Sequence, residues 1–258
     1  MSALLIILCA SVALFGLVNA AAAQAPATPE QPAPMSGHDF GQPVMDQDIF
    51  AHFILNQNEG RLGRLDGIDT HYRWSGQGWV GTDYDKLWVT TEGAVKKGQV
   101  EDGQHEFLYS RAVSPYFNLQ GGLRTDLDSS RTRNWAAFGV TGLAPFFFEI
   151  EVTGYVSPRG HLAARIEVDH DFLITNRLIL RPHLEFNFYS KSDPARGNGA
   201  GLSEIDAGLR LRYEFSRKFA PYIGVAYEGK FGQTAKLARQ AGDSTGDVRV
   251  VAGIRIWY

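Results

Sequence analysis

From Ile49 to the end of the chain, polar and apolar residues alternate with a period of two, as in strands with one wet and one apolar face. In Ser203 to Phe215, Ile205, Ala207, Leu209, Leu211, Tyr213 and Phe215 share one face, and Glu204, Asp206, Gly208, Arg210, Arg212 and Glu214 share the other. Arg177 to Ser190 sets Leu178, Leu180, Pro182, Leu184, Phe186 and Phe188 against Arg181, His183, Glu185 and Asn187. Gly160 to Phe172 sets Leu162, Ala164, Ile166 and Val168 against His161, Arg165, Glu167 and Asp169. Such runs are longer than the roughly five or six residues of a soluble strand, and match the ~9–11 that cross a bilayer at a tilt. The polar face is too charged for the core of a soluble sandwich. It suits a lumen, and the apolar face suits lipid.

The pattern therefore predicts an all-β protein, a closed antiparallel transmembrane β-barrel of about twelve strands, since only closure leaves no unpaired edge in a membrane. The strands fall near 49–57, 64–76, 84–95, 104–113, 115–126, 133–143, 147–156, 160–172, 177–190, 203–215, 219–231 and 247–258. Ten strands is the alternative, because 49–76 is less regular. Connections at Ser114-Pro115, Ala144-Pro145, Thr175-Asn176 and Ser216-Arg217-Lys218 are short. Several intervening ones, Lys96–Gly103, Leu127–Arg133, Lys191–Leu202 and Gly232–Gly246, are longer and polar. That contrast matches the short periplasmic turns and long outer loops of bacterial outer-membrane barrels. The last strand presents Val248, Val250, Ala252, Ile254, Ile256 and Tyr258 on one face and ends on an aromatic residue, as such barrels do.

Two segments precede the barrel. Residues 1–23 read as a secretory signal peptide: no charge between 2 and 23, an apolar run from Leu4 to Val18, then Val18-Asn19-Ala20 and Ala21-Ala22-Ala23 as small-x-small cleavage patterns. Residues 24–48 hold five of the eleven prolines and read as a disordered tether. Cys9, the single cysteine, lies in the signal segment, so the mature chain has neither a disulfide nor a thiolate nucleophile.

Composition narrows the class further. The formal charge of −3 argues against a nucleic-acid partner. Twenty-eight glycines and 12% aromatics fit an all-β chain. No Gly-x-Ser-x-Gly, His-Glu-x-x-His or phosphate-loop pattern occurs, so the chain is not expected to be an enzyme. Trp74, Trp79, Trp88, Trp135 and Trp257 are expected in interfacial girdles.

The candidate chemistry is metal binding. In the tether, Met35, His38 and Met45 offer thioether and imidazole ligands to copper. In the barrel, His161 and His183 lie on the charged faces of neighbouring strands. A hairpin register centred on Thr175 sets Glu167 opposite His183, Arg165 opposite Glu185 and Asp169 opposite Arg181, pairs about 4.5–5.5 Å apart at Cβ. His161, Glu167, His183 and Glu185 are thus candidate ligands for Cu(II) or another borderline divalent ion. Arg165, Asp169, Arg181, Asp206, Arg210 and Arg212 line the lumen beside them, and mutual salt-bridging of these charges is the competing reading. His170 has the parity of the lipid face and is expected near an interface.

Several stretches resemble the copper resistance protein B family. They are Asp85-Lys86-Leu87-Trp88-Val89-Thr90-Thr91-Glu92-Gly93, Leu108-Tyr109-Ser110-Arg111-Ala112-Val113-Ser114-Pro115-Tyr116-Phe117-Asn118-Leu119-Gln120, Gly142-Leu143-Ala144-Pro145, Leu173-Ile174-Thr175-Asn176-Arg177-Leu178-Ile179-Leu180, Gly208-Leu209-Arg210-Leu211-Arg212-Tyr213-Glu214 and Ala220-Pro221-Tyr222-Ile223-Gly224. The resemblance spans roughly 46–258. It implies an outer-membrane barrel contributing to copper tolerance beside a periplasmic multicopper oxidase of the copper resistance A type. Copper would be bound or passed on, and would not be needed for folding. Family members commonly carry a long Met- and His-rich extension; here only Met35, His38 and Met45 remain, and Asn118 stands where an Asp is expected. The alternatives are a passive channel or structural barrel that binds no metal, and a barrel enzyme acting on lipid or peptide.

Overall fold

A computed structural model describes residues 49–258 except 64–68, 97–98, 128–131 and 217. The signal segment and the tether, with Met35, His38 and Met45, lie outside the described residues. The strands are β1 (Phe50–Gly63), β2 (Asp69–Gly81), β3 (Asp85–Lys96), β4 (Gln99–Ala112), β5 (Phe117–Leu127), β6 (Thr132–Ala144), β7 (Phe148–Val156), β8 (Leu162–Asp169), β9 (Phe172–Leu173), β10 (Leu178–Tyr189), β11 (Gly201–Tyr213), β12 (Phe219–Lys230) and β13 (Gly246–Trp257). β9 continues β8 along β10, so the wall has twelve full strands. The gap at His170–Asp171 faces Pro182, which has no N–H to give the ladder.

Each strand pairs antiparallel with its neighbours, and β13 returns to β1 from Ile54↔Trp257 to Gly63↔Arg249. Reciprocal backbone bonds between Phe53 and Tyr258 complete the seam at 3.0 and 2.9 Å. Closure satisfies the backbone around the whole circumference, as lipid requires.

The packing is inverted relative to a soluble protein. Among the described residues, 19 polar or charged residues are buried against 12 apolar ones. Phe107, Leu123, Phe138, Ile223 and Val250, all near mid-strand, are exposed on the outer wall. Lipid covers such a band in place of an apolar core.

One end carries the tight turns, the other the longer loops. Four of the turns use one device. The hydroxyl oxygens of Thr82, Ser114, Thr175 and Ser216 accept backbone N–H groups two or three residues on. The β6–β7 turn instead holds Phe146 and Phe147 at φ 65 and 62, both largely exposed. With Phe50, Tyr84, Tyr116, Phe215 and Tyr258 they form an aromatic belt at the turn end. The expected tryptophan girdle does not form: Trp135 is 2% exposed and turned inward, Trp88 packs against the same buried cluster of Leu108, Trp135 and Tyr155, and the Trp79 ring lies 6.3 Å from that of Trp88. The Trp135 Nε1–H donates to Asp126 Oδ2 at 2.8 Å. A buried indole N–H needs an acceptor, and the charged lumen supplies one.

Two expectations along the chain also change. β1 runs to Gly63 rather than 57 because a bulge after Leu55 shifts the lumen face from His52 and Ile54 to Gln57, Glu59 and Arg61. That shift is the irregularity in 49–76, and it settles the count at twelve. The Gly232–Gly246 loop contains a helix, α1 (Gly232–Ala241), closed by Gly242 at φ 81, whose N–H bonds Ala238 and Arg239 carbonyls. Thr234 Oγ1 accepts the Gly199 N–H at 2.8 Å and meets Ser203 Oγ at 2.7 Å, fixing α1 to the loop-end rim.

Candidate functional site: a charged lumen

The β8–β10 hairpin turns on Asn176, not Thr175. Ile174 N–H and Thr175 N–H both donate to Leu178 O, closing a loop one residue further on. The cross-strand partners therefore move by two residues. His183 faces Asp169, Glu185 faces Glu167, and Asn187 faces Arg165. The expected pairs Glu167–His183, Arg165–Glu185 and Asp169–Arg181 are not direct partners, although a two-residue shift keeps every side chain on its face.

The shift builds a metal-ligating group. His183 Nδ1 lies 3.1 Å from Asp169 Oδ1 and 3.7 Å from Glu167 Oε1. One ligand atom from each residue fits within 4.8 Å of the others. Glu185 Oε2 stands 3.9 Å from His183 Nε2, on the other side of the ring. Asp169 was expected only as lining; it is the closest partner of His183. Asp169 also accepts from Arg181 Nε at 3.1 Å, whereas the only charged partner of Glu167 among the described residues is His183. All three open on a lumen cavity of about 50 Å³, room for a few waters.

His161 is not part of the group. It ends the β7–β8 connection, where its N–H donates to Ser157 Oγ at 3.1 Å. Its neighbour Leu162 faces Ser190, seven positions along from His183, or about 24 Å at ~3.4 Å per residue. His170 has the expected outward placement: its ring lies 4.6 Å from Phe148 and 4.2 Å from Phe172.

A wider pattern escaped the sequence reading. Glu151↔Glu167, Glu167↔Glu185, Glu185↔Asp206, Asp206↔Glu228 and Glu228↔Asp247 are each direct cross-strand pairs. Six carboxylates thus run in one row around the wall from β7 to β13, reaching the loop end at Asp247. Like charges placed opposite one another are destabilising unless cations intervene. Arginines supply them. Arg73 reaches Asp206 (3.1 Å) and Glu185 (3.7 Å), and Arg165 reaches Glu185 (3.6 Å) and Glu92 (3.2 Å). Arg61 pairs with Asp206 (3.0 Å), Glu59 (2.8 Å) and Glu228, and Arg249 with Asp247 (2.9 Å). Arg61 and Arg73, on β1 and β2, bind carboxylates of β10 to β12 and so tie distant strands together.

Of the remaining predicted lining, Arg210 holds Glu59, and Arg212 holds Asp171 and Glu214. The motif Thr91-Glu92-Gly93 has a structural account. Trp74 covers Gly93 so closely that a Cβ there would sit 2.3 Å from the indole, and Trp74 Nε1 donates to Thr91 Oγ1 at 3.2 Å. Tyr109 of the second motif donates to Asp85 of the first.

A closed twelve-strand barrel, apolar outside and charged inside, is an outer-membrane protein of porin-like architecture. The solved NanC porin has the same fold: TM-score 0.52 at 13% identity, covering 79% of this chain and 98% of that one. The family model described as Copper resistance protein B precursor matches residues 49–258. Copper resistance protein B of Escherichia coli is 41% identical over 86% of this chain and 74% of its own length. A homolog from Pseudomonas syringae pv. tomato is 39% identical over 84% and 73%. The chain belongs to the copper resistance protein B family and resides in the outer membrane.

Proposed function

We propose that this barrel contributes to copper tolerance by binding Cu(II) in its lumen, at His183, Asp169 and Glu167, and handing it along the carboxylate row toward the loop end. The observation that carries the reading is the convergence of one imidazole and two carboxylates on a lumen cavity, with Glu167 in no ion pair with an arginine among the described residues. An imidazole with carboxylate oxygens suits Cu(II), which heads the divalent affinity order. No methionine follows Met45, so the barrel itself offers no thioether for Cu(I). The role is binding and passage without covalent chemistry. A periplasmic multicopper oxidase is the expected partner on the turn side.

The second reading is a structural barrel whose lumen charges only neutralise one another. It is favoured by Arg181 on Asp169 and by Arg165 and Arg73 on Glu185. Cu(II) titration of the folded full chain separates the two. The copper reading expects binding that weakens at least about tenfold in His183→Ala while the barrel still shows heat-modifiable gel mobility. Equal affinity in that variant, or no binding in the parent, would leave the structural barrel.

A further inference from the structure

The cavity that meets Glu167, Asp169 and His183 has a second, basic wall. Arg212 on β11 and Arg255 on β13 both line it. The Nε–H groups of both are buried and have no hydrogen-bond partner. Arg255 forms no ion pair or hydrogen bond with any described residue, and its one contact of note is the Trp257 ring, 5.4 Å from the guanidinium carbon. The carboxylates nearest this wall are already taken. Asp171 gives Oδ1 to Arg181 and Oδ2 to Arg212, each at 3.0 Å, and Glu149 gives Oε2 to Arg181 at 2.9 Å. Arg255 is only partly exposed, and two buried Nε–H donors left unpartnered beside one cavity are a cost that a bound anion would relieve.

We propose that Arg212 and Arg255 form an anion site in the lower lumen. Two N–H donors and a cavity of about 50 Å³ suit a small monovalent anion such as chloride, or a single carboxylate. The carboxylate has a source within the chain: Asp46 and Asp48 immediately precede β1, the strand paired with β13. Neither arginine belongs to the group around His183, but both line the same cavity, so the site is tested on metal-free protein.

The test is chlorine-35 NMR line broadening on the metal-free full chain, folded in a zwitterionic detergent. Arg255→Gln is the site variant and the exposed Arg159→Gln the control. Heat-modifiable gel mobility confirms that each is folded. The site predicts excess broadening in the parent and in Arg159→Gln that falls at least about twofold in Arg255→Gln. Broadening that appears only in the Asp46→Asn/Asp48→Asn variant, and is lost again when Arg255→Gln is added, identifies the occupant as the chain's own carboxylate and upholds the site. Broadening that is absent throughout, or that Arg255→Gln leaves unchanged, overturns it.

Discussion

Glu59 offers the severest test of how the lumen holds the barrel together. Its side chain is 0% exposed. It accepts four hydrogen bonds, from Arg61 Nε (2.8 Å), Arg210 Nε (3.1 Å), Arg210 Nη2 (3.0 Å) and Tyr222 Oη (2.9 Å). These join β1, β11 and β12 through one carboxylate. Bonds to a charged group contribute about 1.5–3 kcal/mol each, so four would nominally total about 6–12 kcal/mol, comparable to a typical total stability of ~5–15 kcal/mol. Such terms do not add, and removing one partner of a buried pair costs about 3–5 kcal/mol in practice. Glu59→Ala leaves Arg210 and Tyr222 facing each other without an acceptor, so the loss falls in that range. The control is Glu149→Gln, whose side chain is 55% exposed and whose pair with Arg181 is worth under about 1 kcal/mol. Urea titration in lipid vesicles, read by tryptophan emission and gel mobility, compares the two. A Glu59→Ala loss no larger than that of Glu149→Gln would refute the idea that buried lumen ion pairs hold the wall.

Other consequences follow from single contacts. Gly93→Val drives Trp74 off its seat, costing about 1–3 kcal/mol and shifting tryptophan emission, since a Cβ at that position meets the ring at 2.3 Å. Thr175→Ala removes the acceptor for the Arg177 and Leu178 N–H groups and lowers stability by about 1 kcal/mol in the same titration. Met35→Leu/His38→Ala/Met45→Leu leaves Cu(II) affinity within about twofold of the parent, because the proposed site is in the lumen. A larger loss in that variant would move the site to the tether.

Alternation carried most of the fold. A lipid-facing band and a charged lumen force a strict period of two over long runs, and wherever that period was unbroken the strand was legible. It failed at β1, where one inserted residue reverses the parity between Ile54 and Gln57. It also said nothing about α1, although Gly232 and Gly242 bracket a run of good helix formers at residues 235–241. The site was half legible. Which charges face inward follows from parity alone, so the inward placement of Glu167, His183 and Glu185 was legible. Which charges meet depends on register, and register depends on whether the hairpin centres on Thr175 or Asn176. That difference exchanges opposite-charge pairs for a row of carboxylates. Trp135 was misplaced because composition favoured a girdle, whereas its position in β6 turns it inward.

The measurement closest to the central claim is electron paramagnetic resonance of Cu(II) added at one equivalent to the folded full chain. A site made of His183, Asp169 and Glu167 predicts a spectrum with hyperfine coupling to a single imidazole nitrogen, lost in His183→Ala and kept in His161→Ala. Coupling to several nitrogens, or a spectrum that survives His183→Ala unchanged, would contradict it.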